Sequence, residues 1–190
     1  LAISAEDAEA DVFCGHARYA WARLHAAASG ADAVKTPLIG ITGTDGKTTC
    51  SFLLQHAMGQ GAARIGTLGM DDGKRVIPSG LTTPAAEDVH DFITTLPADC
   101  PGVALEISSH AAEQERLAGL QLSALIFTGL GHDHLDYHQT RERYLQAKLR
   151  AVRLLPAGSL CVINADDELA HLIRHAVLCV GGRCVSIGRT

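Results

Sequence analysis

Leu38-Ile39-Gly40-Ile41-Thr42-Gly43-Thr44-Asp45-Gly46-Lys47-Thr48-Thr49 decides the reading of this chain. An apolar run enters a glycine turn that ends in Gly-Lys-Thr, the layout of a loop that wraps phosphate. Gly43 and Gly46 let the backbone fold around anionic oxygens, with Thr44, Asp45 and Thr49 completing the loop. Residues from Lys47 to Leu54 open a helix whose first N–H groups and positive dipole end face the anion. Lys47 is placed to reach the outer phosphates and the Thr48 hydroxyl to face Mg2+. Ile41 stands where the strict pattern has its first glycine. The plain alternative is a glycine turn with a surface lysine; the strand before and the helix after favour phosphate.

The chain has 190 residues, enough for one domain and a stub of another. Apolar residues make up 47% but aromatics only 4%, so the expected core is mostly Ala, Leu, Ile and Val. A net charge of −5 offers no basic footprint for nucleic acid. No apolar run is long enough for membrane insertion, and the start, Ala5-Glu6-Asp7-Ala8-Glu9, lacks a basic leader. The six cysteines form no Cys-x-x-Cys pair. They read as reduced thiols, mostly in the core, of a cytoplasmic protein. The chain starts at Leu1 without Met and reads as a piece of a longer polypeptide.

Working outward, a helix is expected over 16–28, ended by Ser29-Gly30-Ala31-Asp32, with a domain boundary near residue 36. Beyond it, strands are expected at 38–42, 62–68, 102–107, 123–128, 159–163 and 183–187. Helices are expected at 47–58, 84–96, 110–117, 140–154 and 166–175. Thr83-Pro84 supplies a capping hydroxyl and a first-turn proline for the second of these. The alternation predicts an α/β fold with a mostly parallel sheet covered by helices on both faces.

Glu106 closes the apolar strand 102–107, where open sheets of this kind bind ligands, and a carboxylate there suits Mg2+. Strand 123–128 runs into Gly129-Leu130-Gly131-His132-Asp133-His134-Leu135-Asp136-Tyr137-His138, a cluster suited to metal or phosphate. It misses the His-x-His-x-Asp-His signature of dinuclear zinc hydrolases by one position, since Tyr137 replaces the third histidine. In the next helix Lys148 shares a face with Tyr144, Ala147, Ala151, Leu154 and Leu155. Spacing alone favours a stem that snorkels to the rim. The other option is a desolvated amine, which adds CO2 to become a carbamate and a metal ligand.

Together these pieces resemble the ATP-binding central domain of the Mur ligases, which build the peptide of bacterial peptidoglycan. The similarity is strongest to the subgroup that adds the third amino acid. It rests on Gly43 to Thr49, Leu81-Thr82-Thr83-Pro84, Glu106-Ile107-Ser108-Ser109-His110-Ala111 through Gln114 and Arg116, Asp133 to His138, and Tyr144 to Lys148. These segments cover roughly 38–155, and five ordered motifs are far more specific than one loop. The resemblance implies that Lys47 and the loop hold ATP and that Thr48 meets one Mg2+. It implies that Glu106, His134 and Lys148, as a carbamate, hold a second. Thr82, Thr83, Ser108, Gln114 and Arg116 are implied to hold UDP-N-acetylmuramoyl-L-alanyl-D-glutamate. The implied reaction joins its carboxylate, through an acyl phosphate, to diaminopimelate or lysine.

On the same resemblance, 1–36 ends a uridine-binding domain and 37–190 is an incomplete central domain, with a C-terminal domain missing and no complete turnover expected. Asp45 and Gly129 both stand where the family usually has asparagine, and Ala112 replaces leucine. The competing expectations are a nucleotide-binding remnant without ligation and a zinc hydrolase built on 132–138. A folylpolyglutamate synthetase would leave Thr82-Thr83-Pro84 and Ser108-Ser109-His110 without a reason.

Overall fold

The computed structural model describes residues 3–4, 12–13, 16–131 and 135–189. Two short parallel strands, β1 (Ile3–Ser4) and β2 (Val12–Phe13), precede helix α1 (Ala17–Ser29). The chain then builds β3 (Leu38–Thr42), α2 (Lys47–Met58), β4 (Ala63–Gly66), β5 (Gly69–Asp71) and β6 (Val76–Ile77). Next come α3 (Ala86–Thr95), β7 (Val103–Glu106), α4 (Ser109–Glu113), β8 (Ala124–Phe127), α5 (Leu135–His138) and α6 (Arg141–Leu149). A 3-10 turn over Arg150–Leu154 leads to β9 (Leu160–Asn164), α7 (Ala170–Cys179) and β10 (Arg183–Ile187).

Eight strands form one sheet in the order β10-β9-β8-β3-β7-β4-β5-β6. The first six are parallel, and β5 and β6 extend the edge as antiparallel strands. The expected fold class holds. The strand expected at 62–68 instead turns after Gly66 into the β4–β5 hairpin, and β5 and β6 were not anticipated. β3 is central, so its backbone is paired on both sides and its burial is nearly complete. Gly40 is needed there, because a Cβ would stand 2.8 Å from the side chains of Ile107 and Leu122.

Three helical expectations shift. The 110–117 helix ends at Glu113, and Glu115 takes a left-handed φ of 57°. The 140–154 helix tightens to 3-10 after Leu149. The 166–175 helix starts four residues later, because the Asp167 side chain turns to accept from Leu169 N–H and the Asp166 carboxylate accepts from Arg189 N–H, 23 positions on. Thr83 does not cap α3, whose N-cap is Ala85 with no side-chain bond. The core is aliphatic as composition demands, running from Leu38 and Val103 through Leu105, Ile107 and Leu125 to Ile163 and Val177. Among the described residues, Cys100 and Cys161 are the core thiols; Cys179 is exposed, Cys50 and Cys184 are intermediate, and Cys14 lies outside the described residues. Among the described residues, no helix is long and apolar enough to cross a membrane.

Candidate phosphate and metal site

Parallel strands deliver their C-terminal ends to one edge of the sheet, and those predicted residues that the structure describes gather there. The loop after β3 turns at Gly43 (φ 144°) and Gly46 (φ 80°). Gly43 is obligatory: a Cβ would lie 2.0 Å from Thr128 Oγ1. The loop is strapped to the segment after β8, with Thr44 N–H donating to Gly129 O (2.8 Å) and Thr128 Oγ1 to Asp45 O (2.6 Å). Gly46 is the N-cap of α2 and no side chain caps that helix, so its first-turn N–H groups face the loop. Lys47 Nζ folds over the loop and donates to Gly43 O (3.0 Å) and Thr44 O (2.7 Å). Asp45 and Thr49 are both exposed at the rim of the loop.

Glu106 ends β7 beside the loop and is fully buried. Its Oε2 accepts from Thr48 Oγ1 (2.9 Å) and Thr67 Oγ1 (3.0 Å), and Ser51 Oγ lies 3.0 Å from Oε1. Gly66 makes room for it, since a Cβ there would sit 2.0 Å from Oε1. A carboxylate ringed by hydroxyl oxygens is a hard donor set that fits Mg2+. Among the described residues no three His, Cys, Asp or Glu side chains converge on a metal position. His134, the expected further ligand, lies outside the described residues, as do His132 and Asp133.

Lys148 does not snorkel. Its residue is 1% exposed, Nζ donates to Gly43 O at 2.7 Å and it lies 4.5 Å from the centre of the Tyr144 ring. A carbonyl acceptor and an aromatic face offset the burial of the charge. His138 is also buried, with Nε2 2.9 Å from Ser109 Oγ and Nδ1 3.5 Å from Glu113 Oε2. It ties α5 to α4.

The expected substrate residues form a second group contiguous with Glu106. Thr82 Oγ1 lies 3.2 Å from Thr67 Oγ1, which donates to Glu106. Thr83 Oγ1 donates to Glu106 O (2.8 Å) and accepts from Ser108 N–H (2.9 Å). Its hydroxyl is spent on holding the end of β7 to the segment before α3, which is why it does not cap that helix. The Ser108 side chain caps α4 by accepting from Ala111 N–H (3.1 Å). Arg116 donates to Thr83 O and to Gln114 Oε1 (2.7 Å from Nη2). Burial, with Arg18 second, lowers its pKa, though a guanidinium remains charged.

Sequence motifs missed five contributors. Ser51 and Thr67 hold Glu106, and neither stands in a motif. Asn164, Asp166 and Asp167, at and after the end of β9, line a cleft of about 510 Å³ with Thr44, Asp45 and Gly129. Their signal in the sequence is position: they sit at the C-terminal end of a parallel strand, the edge where such sheets bind ligands. A cavity of about 540 Å³ between α1, residues 117–121 and residues 150–156 touches none of the predicted site residues.

This geometry has clear relatives. Residues 41–189 match the family model described as the Mur ligase middle domain. The UDP-N-acetylmuramoyl-L-alanyl-D-glutamate–2,6-diaminopimelate ligase of Caulobacter vibrioides is 39% identical over 180 residues, covering 87% of this chain and 37% of that protein. The ligase of the same name from Parabacteroides distasonis is 40% identical over 139 residues, covering 70% and 28%. A solved structure of a ligase with this name superposes with a TM-score of 0.85 at 29% identity, over 99% of this chain and 40% of that one. The chain thus spans well under half the length of these relatives. With the family model matching most of its residues, the chain belongs to the Mur ligase family.

Proposed function

We propose that this chain is the ATP-binding unit of a ligase that joins 2,6-diaminopimelate to UDP-N-acetylmuramoyl-L-alanyl-D-glutamate. The observation that carries the proposal is the convergence of Lys47, Thr48, Glu106 and Lys148 on one glycine loop. The names of the two ligases above support the substrate assignment. In this reading residues 37–190 hold ATP, and residues 1–36 end a preceding uridine-binding domain.

The loop N–H groups and Lys47 bind the β- and γ-phosphates of ATP. Thr48 and Glu106, with His134 and Lys148 as its carbamate, are the residues that would hold Mg2+; when bound, the two ions offset charge on the transferred phosphoryl group. Arg116, Thr82, Thr83, Ser108 and Gln114 orient the muramoyl dipeptide. Its terminal carboxylate oxygen attacks the γ-phosphorus, the bond to ADP breaks, and an acyl phosphate forms. The incoming amine then attacks the acyl carbon, phosphate leaves and the nitrogen loses a proton, giving the amide.

Phosphate release by the complete polypeptide, with ATP and the muramoyl dipeptide, is expected with diaminopimelate and to be much weaker with lysine. Release supported only by a folate substrate, or by no amine, overturns the reading. Calorimetry on the chain itself is expected to show Mg2+-dependent ADP binding that Lys47→Ala weakens roughly 10- to 100-fold, the value of a charge-assisted bond.

A further inference from the structure

Tyr144 sits on α6 one turn before Lys148 and is 1% exposed. A buried tyrosine normally engages both its polar tip and its ring, and this one engages each with a different part of the site. Its hydroxyl lies 3.2 Å from Thr44 Oγ1 in the phosphate loop. The Thr44 oxygen also accepts from Gly131 N–H (2.8 Å), so one hydroxyl joins the loop, the segment after β8 and α6. The Tyr144 ring face carries Lys148 Nζ at 4.5 Å. The i, i+4 spacing puts both side chains on one helix face. Lys148 Nζ in turn reaches Gly43 O, the carbonyl to which Lys47 also donates. The contacts close a ring: Gly43, Thr44, Tyr144, Lys148 and back to Gly43.

We propose that Tyr144 is a positioning residue that sets the register of Lys148 against the phosphate loop. It couples the seat of the nucleotide phosphates to the seat of Lys148, so that ordering one orders the other. The proposal rests on the nucleotide-binding reading of the loop.

A double-mutant cycle on Mg·ADP affinity in the full chain tests it. Tyr144→Phe and Thr44→Val each remove one end of the same hydrogen bond and are expected to weaken ADP by about fivefold. Thr44→Val also removes the acceptor of Gly131 N–H, so the double variant should be no worse than Thr44→Val alone, and Thr44→Ser should stay within about twofold of the parent. Multiplicative losses, about 25-fold in the double variant, or an unchanged Kd in Tyr144→Phe, overturn the proposal. Thermal unfolding accompanies each variant; if Tyr144→Phe does not fold, Thr44→Val against Thr44→Ser on the loop decides between loss and no loss. A parent chain that binds no Mg·ADP overturns the nucleotide reading itself, and this proposal with it.

Discussion

Thr48 Oγ1 stands 2.9 Å from Glu106 Oε2, across 58 positions of sequence. The contact joins the first turn of α2 to the end of β7. It places a hydroxyl and a carboxylate side by side at one candidate cation position. β3 and β7 are adjacent and in register from Leu38↔Val103 to Ile41↔Glu106, so the distance is set by the sheet rather than by flexible side chains.

Gly66 is the tightest test of that arrangement. A methyl at this position meets Glu106 Oε1 at 2.0 Å and Cδ at 2.5 Å. Gly66→Ala is expected to displace the carboxylate, cost about 1–3 kcal/mol of stability and remove most of the Mg2+ dependence of ADP binding. Gly80→Ala, which meets nothing within 4 Å, should change neither. Thermal melts and calorimetry with and without Mg2+ read both effects. Unaltered Mg2+ dependence in Gly66→Ala would argue against Glu106 as a metal ligand.

Lys148 is expected to carry CO2 in the active enzyme. Lys148→Ala should lower ligation by at least about 100-fold; truncating this buried stem also costs about 2–5 kcal/mol of stability, so melting curves accompany the assay. Added formate or acetate should restore part of the rate by supplying a carboxylate. In 13C-bicarbonate, a carbamate carbon resonance should be present in the parent and absent in Lys148→Ala. A fully active variant sinks the assignment.

Arg116 ties Thr83 to Gln114, and its guanidinium stands beside the threonine pair assigned to the muramoyl dipeptide. Arg116→Ala should raise KM for the muramoyl dipeptide about tenfold and leave KM for ATP within about twofold. Arg116→Lys should recover little, since an ammonium lacks the two-pronged geometry. Equal increases in both KM values would mean that Arg116 supports the fold rather than the substrate.

His90 predicts acid sensitivity. It is fully buried where α3 packs against α1, its ring stacks on His25 with centroids 5.5 Å apart, and neither ring nitrogen has a hydrogen-bond partner among the described residues. Burial first, then His25, lowers its pKa to about 4, against attraction from Asp91, Glu87 and Asp32. The native state therefore holds the neutral ring while the unfolded chain titrates near 6.5. Its contribution is fully present above that value and is lost as pH falls towards about 4. His90→Phe should flatten the decline in melting temperature between about pH 6.5 and pH 4, at roughly 2–4 °C per kcal/mol. A parent and variant with parallel pH profiles would contradict the assignment.

The glycine loop between β3 and α2 was legible in sequence because its pattern is local: two glycines, a lysine and a threonine between a strand and a helix. The parallel sheet was legible for a similar reason, since apolar runs such as 103–106 and 124–127 are separated by helix-length segments. Element ends were not. Thr83 reads as a helix cap, yet its hydroxyl bonds Glu106 O and Ser108 N–H, partners that are close only after β7 packs beside β4. The hairpin after Gly66 was hidden because glycine serves equally as a strand residue and as clearance for Glu106.

The sequence by itself determined the short-range patterns: apolar alternation, the glycine turn and the ordered motifs. Only the tertiary structure decided which polar groups share a site. Lys148 illustrates the division. Helical spacing put it on the inner face, but spacing cannot distinguish a stem that snorkels to water from an amine held inside. The outcome depends on an acceptor 105 positions away, Gly43 O at 2.7 Å, and on the Tyr144 ring beneath it. A buried ammonium is stable only where such partners already stand, and they are assembled by the pairing of β3 with β8 and the docking of α6.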